Sequence, residues 1–359
     1  MPRAVCVGGD ATRPDSRNGV SGAHTAPSAG VQASGSDGLP VVVIGAGPCG
    51  LAAAVALGKA GLDAIVLDKQ CLVSSIAQYP TYITFFSTAE KIAIGGLPFV
   101  IAGEKPTRRD ALAYYRSVVT YFGLAVRQYE PVERVVRDGD AFVVHSRPRG
   151  LAPVATRARA VVFATGYFGT PNRLGVSGEE LPHVTHWFHE GHEAFQRTAL
   201  VVGGGNSAVE TALDLYRAGA KVTMVHFGPT FDKNIKPWVL PDFEGRVKDG
   251  DIAVRWNARV KAIEADATVL TTAAGEERVP AQHVYLMTGY TPRPELLNSL
   301  GVTIDAATGV PAHDPATMET PTPGVFIAGV LASGFDANKI FIENGRDHGT
   351  LIAAALAGR

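Results

Sequence analysis

The sequence predicts an α/β protein made of two similar strand–turn–helix–strand units, the second inserted within the first. The first unit begins at Val41 with VVVIGAGPCGLAAAVALGKAGLDAIVLDK, and the second begins at Ala199 with ALVVGGGNSAVETALDLYRAGAKVTMVHF. In each unit an apolar strand runs through a glycine turn into an amphipathic helix and a second apolar strand. Two later strands, VVFATGY (161–167) and VYLMTGY (284–290), close the units in the same order. The pattern is typical of Rossmann-like domains.

The domain boundaries follow from where these units lie. The first domain is predicted over 38–175 and is completed by 291–359, while the second covers 198–290 and 176–197 link the two. The segments AFVVHS and DIAVRW alternate in the manner of antiparallel strands, which predicts small crossover sheets between the main elements.

The two ends of the chain differ in character. PGVFIAGV (323–330) predicts a further strand that stops at a glycine, and a helix is expected over 339–356. Residues 1–37 are rich in Gly, Ser, Ala and Pro and show no apolar periodicity, so we expect a disordered tail.

The composition excludes several function classes. Of the 359 residues, 46% are hydrophobic and 19% charged, as in a soluble globular protein. The net charge of −1, without a long basic run, argues against nucleic acid as a partner. Residues 39–58 are uncharged, but glycines and a proline at their centre favour strand, turn and helix over a membrane span. Three cysteines without CxxC or zinc-ligand spacing fit a reducing, cytoplasmic location.

The first glycine turn has the features of a dinucleotide site. Gly45 permits the tight turn, Gly47 lets a pyrophosphate approach the backbone, and Gly50 lets the helix pack closely on the strand. The pyrophosphate then lies at the positive helix N-terminus. Asp68 follows at the position where a carboxylate accepts hydrogen bonds from ribose hydroxyls.

The second glycine turn differs at the ribose position, where His226 replaces an acid. Without a carboxylate a 2′-phosphate is not repelled, and Lys233 and Lys236 follow, which favours NADP over NAD. The alternative is that His226 is a surface residue and the lysines are ordinary solvated charges. The predicted NADPH-site residues are Gly203, Gly205, Asn206, Ser207, Ala208, His226, Lys236, Thr288 and Gly289.

Two nucleotide sites, one nested in the other, imply electron transfer from NADPH to a bound flavin. The predicted fold is thus α/β with two Rossmann-like dinucleotide-binding domains, the NAD(P) domain inserted in the FAD domain. The third component, which the flavin reduces, decides the function.

The chain resembles the two-domain flavoproteins that include thioredoxin reductases, and within that class it closely resembles the bacillithiol disulfide reductases. The resemblance covers 39–357. It is carried by GAGPCG, YPTYITFFSTAEKIAIGGLPF, KPTRRDALAYYR, GGGNSAVETAL, IKPWVLPDFE, MTGY, METPTPGVFIAGV and NKIFIENGRDHG, of which FFST and FIENGRDHG are specific.

The resemblance implies a soluble, NADPH-dependent FAD enzyme that reduces the disulfide of a low-molecular-weight thiol. We expect this enzyme to be a homodimer. Cys49 occupies the position of the family's proposed redox cysteine, Asp68 and Lys69 would bind the adenosine end of FAD, and the backbone of Val132 would contact adenine. The residues implied near the flavin ring are Phe85, Phe86, Ser87, Asn338, Lys339 and Ile340. The predicted FAD site further includes Gly45, Gly47, Pro48, Gly50, Thr165, Gly166, Gly329 and Val330.

One departure from thioredoxin reductases matters. Their nicotinamide domain carries CxxC, whereas the corresponding region here has no cysteine, and their third motif ends in Gly-Asp where this chain has Gly329-Val330. A dithiol relay to thioredoxin is therefore disfavoured.

Cys49 has two interpretations. A thiol in the first turn of a helix is stabilised as thiolate by the helix dipole, which predicts a lowered pKa and attack on a small disulfide, although the pyrophosphate at the same helix end opposes this. Alternatively the turn only needs a small residue, and cysteine is a small hydrophobe. A bond to Cys71 is not expected.

Other functions remain open on sequence alone. HVTHWFHEGH places His183, His186, His189 and His192 at every third position, but metal binding is disfavoured against a loop between domains. GEELPHVTHW bears a faint similarity to a flavin monooxygenase signature, which keeps an NADPH-dependent monooxygenase or oxidase as the alternative. A nucleotide-binding sensor without turnover is the second alternative. Further plausible substrate or flavin contacts are Lys236, Trp238, Arg346 and His348.

Overall fold

The computed structural model describes residues 38–232, 235–292, 294–336 and 338–358. The predicted tail over 1–37 and Lys233 lie outside these residues. The strands are β1 (Val41–Ile44), β2 (Ala64–Leu67), β3 (Ala125–Arg127), β4 (Val132–Asp138), β5 (Ala141–Ser146), β6 (Val154–Ala158), β7 (Ala160–Phe163), β8 (Val184–Thr185), β9 (Thr198–Val202), β10 (Lys221–Val225), β11 (Ile252–Arg255), β12 (Arg259–Ile263), β13 (Ala267–Thr272), β14 (Gly275–Pro280), β15 (His283–Leu286) and β16 (Val325–Ile327). The α-helices are α1 (Pro48–Lys59), α2 (Ser74–Ala77), α3 (Ala89–Ile92), α4 (Arg108–Phe122), α5 (Asn206–Arg217), α6 (Leu240–Lys248), α7 (Glu295–Asn298), α8 (Ile342–Gly345) and α9 (His348–Ala357).

The first parallel sheet has the strand order β16-β7-β1-β2-β3. Its central strand β1 is buried at every residue, as expected for a parallel strand that is covered on both faces. Helix α1 packs against α9 so closely that a Cβ added at Gly349 would lie 2.5 Å from the Cα of Ala53. Small residues at this crossing therefore set the distance between the two helices.

The second parallel sheet has the strand order β11-β10-β9-β15-β8 and is formed by chain segments that lie between β7 and β16 in the sequence. Two parallel sheets, the second inserted in the first, confirm the predicted α/β fold class. The antiparallel prediction for DIAVRW is wrong, because β11 pairs in parallel with β10, Ile252 opposite Val222. Its alternation arises because it is an edge strand with one buried face, and alternation does not reveal strand direction.

Antiparallel sheets β4-β5-β6 and β12-β13-β14 complete the fold, and AFVVHS forms the central strand of the former, as predicted. The helix expected over 339–356 begins later and is divided into α8 and α9. The Asn344 side chain accepts a hydrogen bond from the Phe341 N–H at 2.8 Å and donates one to the Lys339 carbonyl at 2.9 Å, which fixes the start of α8. None of the helices in the described part of the chain is long and apolar enough to cross a membrane.

Candidate functional site

The carboxyl ends of β1, β7 and β16 meet at one edge of the first sheet, because these strands are parallel neighbours. This edge carries the first glycine turn, residues Thr165 and Gly166 after β7, and Gly329 and Val330 after β16. Ligands of open α/β sheets bind at such carboxyl ends. The predicted FAD residues from three distant segments are therefore brought together here.

The first glycine turn is shaped by close backbone contacts. Gly45 has a φ of +113°, and a Cβ there would lie 2.3 Å from the carbonyl oxygen of Ala164. A Cβ at Gly50 would lie 2.0 Å from the carbonyl oxygen of Gly45. Gly47, the N-cap of α1, has no atom within 4 Å of its Cβ position, and no side chain caps the helix. The helix N-terminus thus faces open space, as a pyrophosphate requires.

Asp68 supports this turn directly. Its carboxylate accepts hydrogen bonds from the backbone N–H of Ala46 at 2.7 Å and of Gln70 at 2.8 Å. Burial raises the pKa of Asp68, while the two N–H donors oppose that rise. A carboxylate has about four acceptor positions, so room for ribose hydroxyls remains. The neighbouring Lys69 reaches Gly169, with its Nζ 3.2 Å from the Cβ position there.

The residues implied near the flavin ring lie in two loops that contact each other. Ser87 donates a hydrogen bond to the Glu343 carboxylate on α8, which joins the loop of Phe85 and Phe86 to the C-terminal segment. The Phe85 ring lies 6.0 Å from that of Tyr79. The remaining predicted contacts are placed on adjoining segments: Val132 begins β4, Asn338 and Lys339 contact Asp336, and Ile340 contacts the region of Gly345.

Cys49 lies in the first turn of α1 and its thiol is held between two glycines. A Cβ at Gly329 would lie 3.0 Å from the Cys49 Sγ, and one at Gly345 would lie 2.9 Å from it. Cys49 as a residue is partly exposed to solvent, but its thiol group is surrounded by packed atoms. Burial, assisted by Glu343 and Asp347, raises the pKa of Cys49 to about 12.

The expected lowering of the Cys49 pKa by the helix dipole is therefore wrong. Desolvation and two carboxylates oppose the thiolate and outweigh the dipole, whose contribution is at most about 2 kcal/mol. In the resting site Cys49 is a neutral thiol. The structure describes Cys49 and Cys71 as free cysteines, as expected.

The second glycine turn repeats the geometry of the first. Gly203 has a φ of +145°, and a Cβ there would lie 2.3 Å from the carbonyl oxygen of Met287. Gly205 is the N-cap of α5, and Asn206, Ser207 and Ala208 form its first turn. After β15, the Thr288 hydroxyl donates a hydrogen bond to the backbone carbonyl of Asn172 at 2.5 Å. The backbone N–H of Asn172 donates one to the carbonyl of Gly289 at 2.9 Å.

His226 lies inside this second site and is not a surface residue, since only 4% of it is exposed. Its Nδ1 lies 2.4 Å from the position that a Cβ would take at Gly204, so the imidazole ring packs directly against the glycine turn. Sequence analysis missed Asp232, whose carboxylate is 3.9 Å from the His226 Nε2 and 3.3 Å from the Cβ position of Gly205. Since the chain returns to this turn after β10, an acid does stand near the predicted ribose position.

The remaining candidate residues separate into packing and positioning roles. Arg346 donates to the carbonyls of Glu90 at 3.0 Å and Ala93 at 2.5 Å, and so ties the C-terminal segment to α3. His348 accepts a hydrogen bond from the Gly329 N–H at 3.1 Å. His186 pairs with Glu179 at 3.2 Å. Within the described ranges, no group of three or more His, Cys, Asp or Glu is placed to hold a metal ion.

Together these features fit two dinucleotides, FAD at the first helix end and NAD(P)H at the second. At each turn a glycine without room for a Cβ lies beside a helix N-terminus that no side chain caps. Bound FAD would supply two-electron chemistry, and the chain's own residues would hold and orient it.

Comparisons with known proteins agree with this site. Residues 42–329 match the family described as pyridine nucleotide-disulphide oxidoreductase. Bacilliredoxin reductase Bdr of Bacillus subtilis (strain 168) is 44% identical over 323 residues, covering 89% of this chain and 97% of that protein.

Solved structures give the same result. Bacillithiol disulfide reductase Bdr from Bacillus cereus has a TM-score of 0.87 at 44% identity, covering 89% of this chain and 99% of that one. The enzyme of the same name from Staphylococcus aureus has a TM-score of 0.84 at 38% identity, covering 89% and 98%. With similarity of this extent, the chain belongs to the pyridine nucleotide-disulphide oxidoreductase family.

Proposed function

We propose that the protein reduces the disulfide of a low-molecular-weight thiol with NADPH, through bound FAD. The reaction converts NADPH, a proton and RSSR into NADP⁺ and two RSH. The observation that carries this proposal is the placement of the Cys49 thiol at the carboxyl edge of the first sheet, between Gly329 and Gly345. Family membership supports the reaction class.

Bacillithiol disulfide is the substrate that the relatives favour. Two similar structures carry the name bacillithiol disulfide reductase, at 44% and 38% identity over 89% of this chain. Cys49 and Cys71 are both free, and 198–290 contain no cysteine, which supports a small-molecule disulfide over a dithiol relay. The relatives at this level of identity do not favour a monooxygenase or a sensor without turnover.

Cys49 is proposed to carry the thiol exchange. The Cys49 thiol attacks one sulfur of RSSR, forming a Cys49–S–SR bond and releasing RSH, which takes the proton of the thiol. Two electrons and one proton from NADPH, together with a second proton from solvent, then cleave that bond, restoring the Cys49 thiol, releasing the second RSH and leaving NADP⁺. Since the resting thiol is neutral, deprotonation must accompany substrate binding.

The finer expectations from the sequence are kept as proposals. We propose that 38–175 with 291–359 bind FAD and that 198–290 bind NADPH, which the two glycine turns support. The predicted linker 176–197 contributes β8 to the second sheet, so part of it packs with the second domain. A cytoplasmic location is supported by the free Cys49 and Cys71. The proposed homodimer is tested by light scattering of the FAD-loaded protein.

The test of this function compares the FAD-loaded protein with its Cys49→Ala variant. NADPH oxidation is followed by absorbance under anaerobic conditions, with and without bacillithiol disulfide. Turnover that requires both the disulfide and Cys49 supports the proposal. Turnover that persists in the variant makes Cys49 a packing residue, and no anaerobic turnover in the unaltered protein refutes the disulfide reductase.

A further inference from the structure

Two lysines and three exposed aromatic rings form a patch at the junction of four chain segments. This lysine–aromatic patch consists of Lys105, Lys236, Phe86, Trp238 and Phe341. The Lys236 Nζ lies 5.2 Å from the centroid of Phe86, 5.6 Å from Phe341 and 5.9 Å from Trp238, while the Lys105 Nζ lies 5.8 Å from Trp238. Such distances are within the range of cation–π attraction, so the rings hold both ammonium groups in place.

The patch is positively charged and open to solvent. Among the described residues, neither ammonium has a carboxylate oxygen within 4.0 Å, and Trp238 is 60% exposed. The acidic group that interacts with Lys236 is Glu210 on α5, where burial raises the pKa to about 6 and Lys236 opposes that rise. Glu210 thus partly offsets the charge of Lys236, while Lys105 adds a second positive charge, and together they favour the binding of anions.

The patch is connected to the segment that holds the Cys49 thiol. Phe341 is the N-cap of α8, and the last residue of that short helix, Gly345, is against the Cys49 Sγ. Phe86 precedes Ser87, whose hydroxyl is bonded to Glu343 on the same helix. An anion held by the patch would therefore be bound by segments that adjoin the proposed redox site.

We infer that the lysine–aromatic patch binds carboxylate groups of the disulfide substrate and so selects an anionic disulfide. This inference rests on the proposed function. Lys105 and Lys236 supply charge, and the aromatic rings limit their motion, which reduces the entropy lost when the substrate binds. NADPH itself is the competing occupant, because Lys236 also donates its backbone N–H to the Asn206 side chain at the start of α5.

The test measures binding of bacillithiol disulfide, whose malyl groups carry carboxylates, to the FAD-loaded, oxidised enzyme by calorimetry. Lys105→Gln removes one patch charge, and the exposed Lys248→Gln on α6 is the matched control. We expect Lys105→Gln to weaken binding of the disulfide about threefold to fivefold, as for a solvent-facing ion pair, with a shallower salt dependence. The Lys248→Gln variant should bind the disulfide as the unaltered enzyme does. The affinity of Lys105→Gln for NADPH should also equal that of the unaltered enzyme within error.

Turnover separates this inference from the function on which it rests. With the uncharged hydroxyethyl disulfide, the KM should be insensitive to Lys105→Gln. Three results would overturn the inference. The affinity of Lys105→Gln for the disulfide could be unchanged, the variant could lose affinity for NADPH and not for the disulfide, or the unaltered enzyme could fail to bind the disulfide. Patch-dependent binding without any turnover leaves the inference standing and refutes the reductase.

Discussion

The Cys49 thiol should be much less reactive than an ordinary cysteine, and Glu343→Gln should partly restore its reactivity. At pH 8 a pKa of about 12 leaves about one thiol in 10⁴ ionised, against about one in ten for the ordinary value of 9.0. The thiolate is thus disfavoured about a thousandfold, or about 4 kcal/mol. Glu343→Gln removes one of two nearby charges but keeps burial, the largest cause, so we expect about a tenfold gain.

The assay is alkylation of the FAD-loaded, oxidised enzyme by iodoacetamide, with modification of Cys49 quantified by mass spectrometry between pH 7 and 10. Glutamine can still accept the hydrogen bond from Ser87, so the packing of α8 is preserved. Glu244→Gln, an exposed substitution on α6, is the control and should leave the rate unchanged. A rate that levels off near or below pH 9, or the same rate in Glu343→Gln, would refute the reasoning.

Two further predictions concern the glycine turns. Gly50→Ala places a Cβ 2.0 Å from the Gly45 carbonyl oxygen, so it should abolish FAD retention, which is measured by flavin absorbance. Gly58→Ala in the same helix is the control, because its Cβ meets no atom within 4 Å. It should raise the free energy of unfolding by up to about 1 kcal/mol, measured by thermal unfolding. Asp232→Asn removes a negative charge beside Gly205 and should lower the KM for NADPH about twofold to fivefold, leaving the KM for NADH unchanged; an equal effect on both would show that Asp232 does not face the 2′-phosphate.

Local sequence patterns predicted the elements that depend on local geometry. The strand–turn–helix beginning at Val41 was recognisable because each glycine answers a steric requirement of its own turn, and the structure has β1, the turn and α1 in that order. The same holds for the second unit at β9 and α5. The direction of β11 was not predictable, since the identity of its partner strand is a tertiary property.

The electrostatics of the candidate site depended on residues far away in the sequence. The dipole of α1 is a local feature, whereas the pKa of Cys49 is raised by packing, by Glu343 on α8 and by Asp347 at the N-cap of α9, nearly 300 residues further along the chain. Asp232 was missed for a related reason, since a loop returns it to the turn at Gly205. Only the folded chain shows which charges a thiol or a phosphate meets.

The stoichiometry of thiol release tests the proposed reaction most directly. The FAD-loaded enzyme is supplied with limiting NADPH and excess bacillithiol disulfide in the absence of oxygen, and the thiols formed are titrated. We expect two thiols for every NADPH consumed, with no dependence on oxygen. NADPH oxidation that requires oxygen and yields hydrogen peroxide without thiols would contradict the assignment of this chain as a disulfide reductase.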